Sequence, residues 1–141
     1  MIKNNLLTVF AILLLFSCKP EQATYVDLEE QKWHQDEQLT FSIASDIEKP
    51  SLYIRHTGDY MFQNLWVKMA MATQDSVPNF QRIEIQLAEP DGRWIGQKQG
   101  AFYTQHFPLP FTCPTDTCTF YVEQNMRQNP LIGIQSIGVS K

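Results

Sequence analysis

The chain has 141 residues, with 11 Lys plus Arg against 15 Asp plus Glu, a net charge of -4 and 43% hydrophobic residues. That length fits one domain, and an acidic balance with no basic run excludes a dedicated nucleic-acid binder, which needs a concentrated Lys/Arg face for phosphate. The 12% aromatic content supplies enough apolar material for a packed core, which excludes a disordered chain.

Residues 1–17 stand apart. Lys3 precedes an apolar run from Leu6 to Phe16, and a small residue, Ser17, sits directly before Cys18. As a helix the run spans roughly 16 Å, about half of a bilayer's hydrocarbon core, so it reads as a cleaved signal peptide and not as a transmembrane helix. The string Leu15-Phe16-Ser17-Cys18 resembles a bacterial lipobox, with Phe16 in place of the usual small residue. On that reading Cys18 is acylated with palmitate-type chains and becomes the first residue of the mature protein, whose stable membrane attachment needs two chains or more. Cleavage removes one positive charge, Lys3, and leaves no second membrane segment.

Residues 19–31 are polar and contain Pro20. Residues 18–24 are therefore expected to form a lipid-anchored tether, and residues 25–141 a single domain starting near Tyr25. Leu39, Phe41 and Ile43 alternate with Thr40 and Ser42 as one strand, followed by a turn over Ser45 to Pro50. Leu52 and Ile54 alternate with Tyr53 and Arg55 until His56-Thr57-Gly58-Asp59 breaks the run. Between Tyr60 and Ala72, Leu65, Val67, Met69 and Met71 fall opposite Trp66 and Lys68, which favours strand over the helix that Met and Ala would allow.

Ile83, Ile85 and Leu87 repeat at period two, and Glu89-Pro90-Asp91-Gly92 places Pro and Gly where a type I turn takes them. This predicts a hairpin whose return strand begins at Arg93-Trp94-Ile95-Gly96 and continues over Ala101 to Phe107. Pro108, Pro110 and Pro114 mark an extended loop. Cys118 to Gln124 is a further strand, Met126 to Leu131 hints at a helical turn, and Ile137 and Val139 run out of phase with Ile132 and Ile134, requiring a bulge or bend near Ser136. The fold class expected is all-β: an antiparallel two-sheet β-sandwich, immunoglobulin-like or jelly-roll in style, of seven to nine strands.

In an exported chain the pair Cys113 and Cys118 suggests a local disulfide, contributing roughly 2 kcal/mol through lost unfolded-state entropy. His34, His56 and His106 are scattered without ligand spacing, so neither metal nor cofactor is expected. There is no phosphate-cradling glycine loop and no nucleophile elbow, and Asp59, Glu84, Glu89 and Asp91 fit solvated positions better than a glycosidase pair, so no catalytic residue is assigned. Trp33, Trp66 and Trp94 offer stacking faces for a sugar or a partner side chain, with core packing the blander alternative. Trp66 and Trp94, together with Arg55 and Arg127, which could grip carboxylates, form the candidate partner-contact surface.

The strings Asn64-Leu65-Trp66, Leu87 to Gly96, Met126-Arg127, Leu131-Ile132-Gly133-Ile134 and Ile137-Gly138-Val139, in that order and spacing, resemble the GldH family of gliding-motility lipoproteins. The resemblance runs from Tyr53-Ile54-Arg55 to the C-terminus. It implies a lipid-anchored protein of the cell envelope, associated with the outer membrane, that serves gliding and the linked type IX secretion apparatus. Its partners would be other envelope proteins, with no small-molecule ligand and no catalytic residues. Cys113 and Cys118 lie outside the family pattern, so their pairing rests on compartment and spacing. A lipid-anchored carbohydrate-binding module is the alternative.

Overall fold

A computed structural model describes residues 23–44 and 49–140. Cys18 lies outside the described residues, as does most of the turn expected over Ser45 to Pro50.

Among the described residues eleven strands run in chain order: β1 (Ala23–Asp27), β2 (Lys32–Trp33), β3 (Leu39–Ala44), β4 (Ser51–Thr57), β5 (Asn64–Ala72), β6 (Gln81–Gln86), β7 (Gln97–Gln99), β8 (Phe102–Pro108), β9 (Thr117–Gln124), β10 (Leu131–Ile132) and β11 (Ile134–Ser140). They form a five-stranded sheet, β1-β11-β4-β8-β7, a four-stranded sheet, β3-β9-β5-β6, and the small pair β10-β2. Every pairing is antiparallel, so the sandwich expected from alternation is the observed architecture, with more and shorter strands. Among the described residues the only helical element is one 3-10 turn, Glu29–Gln31, and no helix is long and apolar enough to cross a membrane.

The core follows from period two. Leu39, Phe41 and Ile43 on β3, Val67 and Met69 on β5, Ile83 and Ile85 on β6, and Phe120 and Val122 on β9 are buried on one face of the smaller sheet. Leu52 and Ile54 on β4, with Ile137 and Val139 on β11, meet them from the larger sheet. Residues directly opposite across an antiparallel pair share a face. The outer face of the larger sheet therefore carries two rows, Tyr25–Gly138–Tyr53–His106 and Asp27–Ser136–Arg55–Thr104–Gln97. The phase change in the last strand is real: the register shifts between Ile134 and Ser136, and Gly133, at φ +94°, separates β10 from β11.

Three expectations need correction. Ala23 and Thr24, at the end of the expected tether, are already paired with Ser140 and Val139 in β1. The hairpin after β6 closes only through the single bridge Ala88–Trp94; its return leg leaves the smaller sheet and joins the larger one as β7, beside β8. Gly100, at φ +64°, turns the chain between those two strands, so residues 93–107 are not one strand. Residues 125–130 form bends and no helical turn, because Gln124 takes over the local hydrogen bonding: its carbonyl Oε1 accepts from the Met126 N–H at 2.8 Å and its Nε2 donates to the Gln128 carbonyl at 3.1 Å.

Candidate functional site

The three tryptophans occupy three environments. Trp33 is fully buried and donates its indole N–H to the Glu37 carbonyl at 3.0 Å, so it is a core residue. Trp94 is half-buried and lies 4.5 Å, ring centre to ring centre, from His56, with Tyr60 and Tyr103 on the same imidazole at 5.9 and 5.5 Å. Trp66 is half-exposed on the outer face of the smaller sheet, and the Arg82 guanidinium covers its ring at 4.0 Å. No shared platform joins the three.

His56 is wholly buried at the inner end of β4. Its Nδ1 lies 2.9 Å from the Thr57 carbonyl, which can only accept, so Nδ1 carries the proton and Nε2 is the lone-pair nitrogen. Nε2 has no hydrogen-bond partner among the described residues, and burial pushes the imidazole pKa below its ordinary value. The same burial pushes the neighbouring Tyr60 phenol up, and its O–H donates to the Asn64 carbonyl at 2.7 Å. This aromatic box buries the imidazole and the Tyr60 ring, while Trp94 and Tyr103 remain partly exposed.

Arg55 is different. It points outward, its guanidinium lies 4.6 Å from the centre of the Tyr25 ring, and it forms no ion pair among the described residues. Tyr25 in turn meets Tyr53 edge to face at 6.0 Å. The seat beneath this stack is Gly138: a Cβ there would sit 2.6 Å from a Tyr25 ring carbon. Across β8 a second glycine has the same function, since a Cβ on Gly96 would lie 2.8 Å from the Thr104 carbonyl oxygen. Between the two close approaches runs a groove of about 680 Å³, walled by Tyr25 and Arg55 on one side and by Ile95, Gly96, Gln97 and Gln99 on the other.

Arg127 is exposed and forms no ion pair among the described residues, far in the chain from the Arg55 groove and on the bends before β10. Arg127 follows Met126, whose Sδ accepts from the Trp66 N–H at 3.2 Å, so Arg127 and Trp66 belong to the same edge region, whereas Trp94 lies against His56, and Arg55 lies in the groove of the larger sheet. Tyr25, Gln97 and Thr104 complete the groove and were not singled out by the sequence; the signal for them was glycine inside a strand-like pattern at Gly96 and Gly138, which marks close backbone approach.

The remaining candidates are unremarkable chemically. Asp59 and Glu89 are exposed in turns, Asp91 caps its own turn by accepting from the Arg93 N–H at 3.0 Å, and Glu84 accepts from Asn64 at 2.6 Å. Among the described residues no group of three or more His, Cys, Asp or Glu is placed to hold a metal. A hollow of about 820 Å³ is lined by Glu29, Glu30, Asp36 and Glu37, where Lys32 pairs with Glu30 and holds its carboxyl below the ordinary range. Cys113 and Cys118 are joined in a disulfide with Cα atoms 5.9 Å apart, stapling the loop between β8 and β9 beside Phe111, which packs edge-on against Phe120.

Comparison with solved structures gives a glycoside hydrolase of family GH115, a 4-O-methyl-alpha-glucuronidase with specificity for decorated arabinogalactans, at a TM-score of 0.48 and 13% identity over 84% of this chain and 16% of that one. A likeness of that size carries no argument. Over 104 residues the chain is 31% identical to the gliding motility lipoprotein GldH of Flavobacterium johnsoniae, a match covering 67% of this chain and 63% of the relative's length. The model of one family matches residues 22–140, which takes in every strand described above. The chain belongs to the GldH lipoprotein family.

Proposed function

We propose that this protein is a non-catalytic accessory lipoprotein of the gliding motility and linked type IX secretion apparatus, held at the outer membrane by acyl chains on Cys18 and acting through contacts with other envelope proteins. The observation that carries the reading is membership of a family of lipoproteins whose matched relative is named for gliding motility. The tether is short on this reading. Only residues 19–22 separate Cys18 from Ala23, the first paired residue among those described, so the acylated end lies at most about 18 Å from the sheet. A carbohydrate-binding role gains no support from the tryptophans, which are occupied by the core, by His56 and by Arg82.

Deletion of the gene should abolish spreading on agar and reduce secretion of type IX cargo, and the wild-type chain should restore both. Cys18→Ser should leave the protein unacylated by intact mass and fail to restore either. Full rescue by an unacylated Cys18→Ser protein would remove the anchor from the account, and normal gliding and secretion in the deletion strain would remove the function.

A further inference from the structure

We propose that the groove between Arg55 and β7, on the outer face of the five-stranded sheet, binds an acidic side chain carried on an extended peptide segment of an envelope protein. The inference rests on the protein-contact reading and narrows it to one surface and one chemistry.

Charge is the first argument. The protein is acidic overall, yet among the described residues no carboxylate lines this groove, and Arg55 is its one permanently charged side chain. Asp27 shares the Arg55 row but stands two strands away across Ser136 and is exposed. The Arg55 head turns along the face to Tyr25 instead, and that stack leaves the edge of the guanidinium, with its forked N–H donors, available to a carboxylate. Stacking also fixes the long side chain in advance, so less rotamer entropy is lost when a ligand arrives.

Build is the second. Gly138 lets Tyr25 lie directly on the sheet, and Gly96 lets the opposite wall approach Thr104, so each wall depends on a residue without a side chain. Ser136, in the Arg55 row, is fully buried with its hydroxyl unpartnered among the described residues, a polar group kept on the face that Arg55 occupies. The third argument is spacing. Gln97 and Gln99 project from the same face of β7, two residues and roughly 6.8 Å apart, which is the two-residue repeat of groups on one side of an extended chain. β7 is also the last strand of its sheet, so its outer backbone edge carries no strand among the described residues. A row of carboxamides at peptide spacing beside one cation fits an acidic strand-like segment better than a sugar ring, which would present no such repeat.

The test uses the full mature chain in detergent, titrated with a peptide of alternating Glu and Ser and followed by amide NMR. The Glu–Ser peptide should shift Gln97 and Thr104 saturably, and the Gln–Ser version should not. Arg55→Gln should weaken binding roughly tenfold or more, and Arg55→Lys by less, since it keeps charge and loses the fork. Arg82→Gln, on the other face, should change nothing. The proposal fails if binding survives Arg55→Gln, if the shifted amides lie on the Arg82 face, or if neither peptide binds. It fails equally if trigalacturonic acid binds in an Arg55-dependent way and the Glu–Ser peptide does not. An unchanged spectrum for the rest of Arg55→Gln separates lost binding from lost fold. In cells, Arg55→Gln that fully restores gliding overturns the groove alone, whereas a deletion strain that glides normally overturns the accessory role.

Discussion

The two outer faces of the sandwich each stack a guanidinium on an aromatic ring, Arg55 on Tyr25 and Arg82 on Trp66, in different company. On the smaller sheet Arg82 sits opposite Lys68, which is itself opposite Glu123, with Glu84 two residues along β6. Charges of both signs alternate there on exposed or half-exposed side chains, the ordinary condition of a solvated sheet face. On the larger sheet Arg55 stands among tyrosines, hydroxyls and carboxamides in a groove. The same local pairing is therefore a surface feature in one place and the centre of a recessed site in the other, and the neighbours decide which.

The strongest way to break the comparison is to show that the faces differ in stability and not in chemistry. Phe120 is buried between them, opposite Phe41 and Met71. Phe120→Ala should cost about 3–5 kcal/mol. Because one core supports both sheets, hydrogen exchange at β4 and β5 amides should accelerate together. Acceleration at β5 alone would mean that the two faces belong to separately unfolding units.

Gly138→Ala tests the asymmetry directly. The new methyl would meet the Tyr25 ring and, at 3.1 Å, the Thr24 carbonyl oxygen, and overpacking of this kind costs about 1–3 kcal/mol. Tyr25 must move, so affinity for an acidic peptide should fall although Arg55 is untouched. The urea midpoint and the peptide titration together check this; a destabilised protein with unchanged affinity would detach Tyr25 from the groove.

Much of this architecture was legible in the sequence because alternation is a local signal. Phe41 against Thr40, or Val67 against Trp66, states which way each side chain faces, and the burial follows it. Crossing between sheets is not local. The Glu89-Pro90-Asp91-Gly92 turn announces a reversal, yet nothing in Arg93 to Gln99 states that the return leg changes sheets, because that depends on which edge strand has room. The groove was half visible: Arg55 stood out as a cation among apolar residues, whereas Tyr25 lay in a segment too polar to read as a strand. Its place on Gly138 is set by a pairing across more than a hundred residues of chain.

His56 sharpens the contrast by pH. Its folded pKa is depressed by burial, so below the unfolded value of about 6.5 the unfolded chain takes up a proton that the folded protein refuses. The stability present above that pH should decline as pH falls, by up to about 1.4 kcal/mol per unit, and level off once the folded pKa is reached. Urea midpoints between pH 7.5 and 5.5 should show the slope, and His56→Gln should flatten it. A slope unchanged in the variant would assign the effect to other groups.

The smallest expected effect compares the two cations themselves. A guanidinium over an exposed aromatic ring contributes about 0.5–1 kcal/mol, and Arg55→Gln should lose that. Arg82→Gln should cost less, below about 0.5 kcal/mol, because the same substitution relieves repulsion from Lys68 directly opposite, while the Glu84 carboxylate is turned to Asn64. Salt separates the contributions: at about 1 M the screening length falls to roughly 3 Å, so the Lys68 repulsion fades while ring contact persists. The cost of Arg82→Gln should then rise toward that of Arg55→Gln, whose own cost should hardly move. Equal costs for both variants at low and high salt would mean that the neighbours of Arg82 do not set its energetics, and the distinction drawn between the two faces would lose its electrostatic basis.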